Sequence, residues 1–81
     1  MKTFIYTVSE KPAGYTTKVT LSIYRIKNNL PMPIGEVTGY THSWAGNVFE
    51  VRGFLTANKH ITRKESETMP HNSDTYRIKE V

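Results

Sequence analysis

Eighty-one residues suffice for one domain with one thin core, and the absence of cysteine excludes disulfide staples, thiolate metal sites and a cysteine nucleophile. Eleven lysines and arginines against seven acidic residues give a formal charge of +4 and a pI of about 9.5. That balance permits nucleic-acid binding without demanding it, because the positive residues are spread along the chain.

No stretch approaches the apolar length that spans a bilayer, and the start MKTFIYTVSEK lacks the long apolar core of a secretory signal. A soluble, cytoplasmic protein that does not engage membranes is the expectation. One domain is expected over residues 1–81.

In chain order, Phe4 to Val8 is the first strand candidate, with Phe4, Tyr6 and Val8 on one side and Thr3, Ile5 and Thr7 on the other. Apolar groups on both sides suggest a strand that is central in the sheet or partly covered on both faces. Lys11-Pro12-Ala13-Gly14 reads as a turn or loop. Thr17 to Ile26 is the clearest strand: Val19, Leu21 and Ile23 alternate with Lys18, Thr20, Ser22 and Tyr24, so one face is wet. The phase slips at Arg25 and Ile26, where a bulge or strand end is expected. Lys27-Asn28-Asn29-Leu30 reads as a reversal, since asparagine tolerates positive φ. Pro31 and Pro33 push the returning strand to begin around Ile34, at a sheet edge. It runs to His42 with weak alternation, and Gly35 and Gly39 on one face leave room for another group.

A turn at Ser43 to Asn47 then leads into a helix over Val48 to Ala57. Asn47 and Glu50 have the spacing of a capping box, and Val48, Val51, Phe54 and Leu55 share one face. Asn58 is the expected left-handed residue at its end. Gly53 and three β-branched residues oppose the helix, and a strand with Phe49, Val51 and Leu55 on one side competes with it. After Asn58 the chain is polar to Asp74, with Pro70 to Asp74 a turn or mobile loop. Thr75 to Val81 closes as a strand with Tyr76 and Ile78 inward.

The order β-β-β-α-β defines an α+β fold: a small antiparallel sheet with one helix packed on one face. The expected core is Val19, Leu21, Ile23, Val37, Val51, Phe54, Leu55 and Ile78.

No catalytic, metal or cofactor motif emerges. His42, His60 and His71 lack ligand spacing, and His42-Ser43 are neighbours whose side chains diverge in extended chain. No glycine-rich phosphate loop or G-x-S-x-G is present, and no close carboxylate pair is set in apolar sequence. The expectation is therefore a protein that is not an enzyme.

Binding rests on aromatic and basic residues. Lys18, Thr20, Ser22 and Tyr24, with Tyr40 and His42, would share the open sheet face, a composition suited to stacking or to a protein interface. A plain solvated face is the simplest reading of the same residues. Trp44, counted with the binding residues, would plug the open end of the core. Lys59, Arg63 and Lys64 form a modest basic cluster, which serves equally to complement the helix dipole.

In element order alone, three antiparallel strands followed by a helix resemble small sheet-based DNA-binding domains, which lay the sheet in the major groove. Base reading would want Arg, Asn or Gln on that face, where mainly lysine, hydroxyls and tyrosine stand. The favoured expectation is a small accessory or inhibitor protein, of the kind carried by phage and other mobile elements. It would bind and mask a host protein or protein–nucleic-acid complex. The alternative is direct nucleic-acid binding through the sheet face and basic cluster. Monomer and homodimer both remain open.

Overall fold

The structure, a computed structural model, describes residues 1–44 and 46–81. Ala45 lies outside the described residues, and with it the middle of the turn expected at Ser43 to Asn47.

Strands β1 (Lys2–Ala13), β2 (Thr16–Lys27) and β3 (Leu30–Tyr40) form an antiparallel meander. Helix α1 (Val48–Ala57) and the short α2 (Arg63–Ser66) follow, and β4 (Tyr76–Glu80) completes a sheet of order β3-β2-β1-β4.

Both hairpin turns have two residues. Gly14 supplies φ +65° at the first, and Asn28 and Asn29, at φ 54° and 65°, make the second. Positive φ at such positions matches the turn to the right-handed twist of the flanking strands. The tight first turn carries β1 through Lys11, Pro12 and Ala13, which the sequence pattern assigns to a loop. The bulge expected at Arg25 and Ile26 lies instead in β3, where Ile34 is the extra residue between the pairs Ile23–Gly35 and Tyr24–Pro33.

The expected antiparallel sheet is corrected at β4, which pairs in parallel with β1 from Lys2–Tyr76 to Tyr6–Glu80. The reason is directional. The helical layer returns the chain to the end where β3 began, so the next strand runs the same way as β3 and β1.

The core fills the space between this sheet and α1. Phe4, Tyr6, Val19, Leu21, Ile23, Val51, Leu55, Ile61 and Tyr76 are buried, with Ile34, Val37, Trp44, Val48, Phe54 and Ile78 packed around them. Val37, Phe54 and Ile78, expected in the core, are therefore only partly buried. Full burial of each large apolar side chain contributes about 1.5–3 kcal/mol. Two glycines in β3 set how closely the covering layer approaches. A Cβ at Gly35 would overlap the Phe54 ring, and one at Gly39 would overlap the Trp44 indole. Trp44 thus plugs one end of the core, as expected.

Asn47 caps α1 by accepting from the Phe49 N–H at 3.0 Å. The reciprocal capping box forms one helix later, between Thr62 and Glu65 at the start of α2. At the other end of α1 the left-handed residue is Lys59, with φ 61°, and not Asn58, whose φ is −98°. The His60 N–H reaches the Leu55 carbonyl and the Lys59 N–H the Thr56 carbonyl, the paired bonds of a Schellman motif.

Candidate binding face

Alternation along the strands sends one set of side chains under α1 and leaves the other on the far side. Cross-strand register orders the second set into rows. The first row is Lys11, Lys18 and Tyr40. Two hydroxyl-rich rows follow: Ser9, Thr20 and Thr38, then Thr7, Ser22 and Glu36. Lys79, Ile5, Tyr24 and Pro33 make the fourth. Six residues separate the first row from the fourth, a span of about 20 Å at the rise of a strand.

The end bearing Lys11 and Lys18 is the more elaborate. His42, just beyond β3, has its ring centroid 5.7 Å from Tyr15 and 6.2 Å from Tyr40, both rings tilted. Its orientation is held by Thr16, whose Oγ1 lies 3.1 Å from His42 Nδ1 and accepts from the His42 N–H at 3.3 Å. Thr41 Oγ1 completes the support, 3.1 Å from Thr16 Oγ1 and accepting from the Thr17 N–H at 3.2 Å. Tyr15 at the hairpin tip is 92% exposed and Tyr40 41%. Ring faces are therefore presented to solvent on a hydrogen-bonded base.

Lys11 and Lys18 stand directly across from each other on adjacent strands. Like charges in that position destabilise a sheet. Glu36 is the acidic residue in these rows, against Lys11, Lys18 and Lys79. Arg77, at the border of the face, has its guanidinium committed to the carbonyls of Pro70 and Tyr76, at 2.9 and 3.0 Å.

The residues singled out from the sequence divide accordingly. Lys18, Tyr40 and His42 come together. Tyr24 shares their face from the far end of the rows. Trp44 is on the opposite face, packed over Gly39. Lys59, Arg63 and Lys64 belong to the helical layer, at the end of α1 and in α2, so they do not extend the Lys18 patch. Lys11 and Tyr15 were not among the binding residues read from the sequence. A two-residue turn centred on Gly14-Tyr15 is the signal that places Lys11 opposite Lys18.

The β3 edge and the part of β1 beyond β4 are poorly suited to strand addition. Pro31 and Pro33 remove N–H donors from β3, which also carries the Ile34 bulge, and Pro12 interrupts the stretch of β1 beyond β4.

A shallow cleft of about 400 Å³ opens between α2 and the 68–75 loop, lined by Thr62, Lys64, Glu65, Asn72, Asp74 and Thr75 among others. Of its two carboxylates, that of Glu65 is already engaged. Glu65 accepts from Lys2 Nζ at 2.9 Å and from the Thr62 N–H at 2.8 Å. These bonds, with one from Thr75, hold its pKa down from 4.5 to about 2.

No helix is long and apolar enough to cross a membrane among the described residues. No family model, curated protein or solved structure matches the chain.

Proposed function

We propose that this chain is a small non-enzymatic accessory protein that docks the open face of its sheet on a larger host protein or protein–nucleic-acid complex in the cytoplasm and masks it. The supporting observation is the exposed Tyr15–His42–Tyr40 cluster beside Lys11 and Lys18, with the His42 ring held by Thr16. Aromatic rings next to positive charge are what interface hot spots are made of. Folding gives this arrangement no core to fill, since α1 covers the other face.

The test is capture of a partner complex, which is then rebuilt from purified components so that affinity can be measured. Tyr40→Ala is expected to weaken the rebuilt complex at least tenfold, the ~1.4 kcal/mol or more of a hot-spot residue. Thermal stability should stay near that of the parent, because Tyr40 lies outside the core. Arg63→Ala, on the helical layer, should leave affinity unchanged. Full retention of binding by both Tyr40→Ala and Tyr24→Ala would remove the open face as the docking surface.

A further inference from the structure

We propose that what the open face grips is a single strand of nucleic acid, with phosphates on the Lys11–Lys18 row and bases stacked on the Tyr15–His42–Tyr40 cluster. This rests on the open face being the binding face and names the chemistry of its ligand.

Three observations converge on it. Lys11 and Lys18 are cross-strand neighbours of like charge, an arrangement that an anion lying between them relieves. The aromatic rings beside them are exposed rather than buried, with Tyr15 at 92%. A carboxylate-rich protein segment would answer the lysines and leave the rings unused. A duplex would answer the lysines but keep its base faces stacked inside the helix. A single strand supplies charge and free π-faces together, the combination that stacking platforms with a basic groove recognise.

The third observation is the field between the two ends of the face. The hydroxyls of Ser9, Thr20, Thr38, Thr7 and Ser22 fill two rows that can donate to phosphate or sugar oxygens, and Glu36, which ends the second row on β3, keeps the nucleic-acid strand's path over β1 and β2. Thr20 and Thr38 already meet at 3.2 Å, so the rows are ordered before any ligand arrives. The rows between Lys11 and Tyr24 hold no arginine, asparagine or glutamine, whose planar groups pair bidentately with base edges, and stacking on the aromatic rings accepts any base. The binding mode is therefore tolerant of sequence.

Fluorescence anisotropy with labelled oligothymidylate, oligouridylate and a matched duplex, at low and physiological salt, tests it on the full chain. Polyglutamate serves as the acidic-peptide competitor. Both single strands are expected to bind more tightly than the duplex and to resist polyglutamate. The double variant Lys11→Ala/Lys18→Ala should flatten the dependence of log K on log salt by about 1.4, ~0.7 for each phosphate no longer neutralised. Tyr15→Ala should weaken binding about tenfold with the salt slope unchanged. Both sites are exposed, so circular dichroism should match the parent.

Tighter binding to duplex, displacement by polyglutamate, or no binding at either salt would overturn the single-strand assignment. If Tyr40→Ala still disrupts the rebuilt partner complex in that event, the docking face stands and only its ligand was misassigned. Single-strand binding indifferent to Lys11, Lys18, Tyr15 and Tyr40 alike would overturn the placement of the strand on this face and move attention to Arg63 and Lys64, while the rebuilt complex decides the docking face separately.

Discussion

The two faces of this sheet are made by the same three long strands and differ by one residue of phase. On the covered face, Phe4, Tyr6, Leu21 and Ile23 are buried under α1, and Gly35 and Gly39 admit the Phe54 and Trp44 rings. On the open face the same strands set out hydroxyls between a lysine pair and a tyrosine. The covered face commits its side chains to packing, where each volume is matched by a neighbour. The open face has order without packing: its rows and its His42–Thr16 bond fix positions that no core requires. Structure of that kind, without a folding role, is the reason to place binding there.

The comparison breaks most visibly if neighbouring residues of β2 are truncated. Leu21→Ala removes a side chain with no exposure from the middle of the core and should destabilise by about 3 kcal/mol or more. Ser22→Ala, one residue on and facing the other way, should stay within about 0.5 kcal/mol of the parent. Chemical denaturation midpoints of the two variants measure the difference directly. Similar losses from both would mean that the open face is held by packing after all.

How much of this is legible in the sequence depends on whether local signals have to compete with topology. The strand around Leu21 and the helix from Val48 to Ala57 are readable because alternation, a cap at Asn47 and an i, i+3, i+4 apolar face each stand alone. The first strand reads short, since Pro12 and Gly14 look like a loop until the two-residue turn pairs Lys11 with Lys18. Phe4 and Tyr6 read as one side of that strand, but Ile5 on the opposite side obscures which side is buried. The parallel pairing of β4 has no local signature at all. It follows from where the helical layer delivers the chain. Similarly, Thr62 and Glu65 have capping-box spacing in a segment without apolar periodicity, so α2 reads as polar loop. On the binding face, Lys18, Tyr40 and His42 are within reach of simple alternation, whereas Tyr24 joins them in the sequence only because alternation ignores distance along the strand.

A smaller effect sharpens the role of the close approaches. Gly35 has φ +153°, a conformation L side chains rarely adopt, and its missing Cβ is where the Phe54 ring sits. Gly35→Ala should therefore cost about 1–3 kcal/mol through overpacking and backbone strain together. Gly53→Ala makes the control, because a Cβ there meets nothing within 4 Å and alanine favours the helix by about 1 kcal/mol. Opposite signs in thermal midpoint are the expected outcome. A neutral Gly35→Ala would show that α1 can lift from the sheet without penalty.

The smallest effect concerns a charge that belongs to the covered side. Lys2 and Glu65, 2.9 Å apart, form the ion pair found among the described residues, and it ties the start of β1 to α2. The Lys2 bond comes first among the causes that lower the Glu65 pKa from 4.5 to about 2, followed by those from Thr75 and the Thr62 N–H, with burial opposing them. Because the folded value lies below the unfolded one, the unfolded chain binds more protons between pH 4.5 and 2. The stabilisation from Glu65 is therefore complete above pH 4.5 and is lost as the pH falls toward 2. Glu65→Gln should remove that acid dependence. At neutral pH it should lower stability by about 1–2 kcal/mol, the scale of a partly exposed charge-assisted bond. Urea titrations of parent and variant at neutral and acid pH measure both, and the curves should converge toward the acid end. Coincident curves across that range would mean that the carboxylate contributes through shape and hydrogen bonding that glutamine reproduces, and not through its charge.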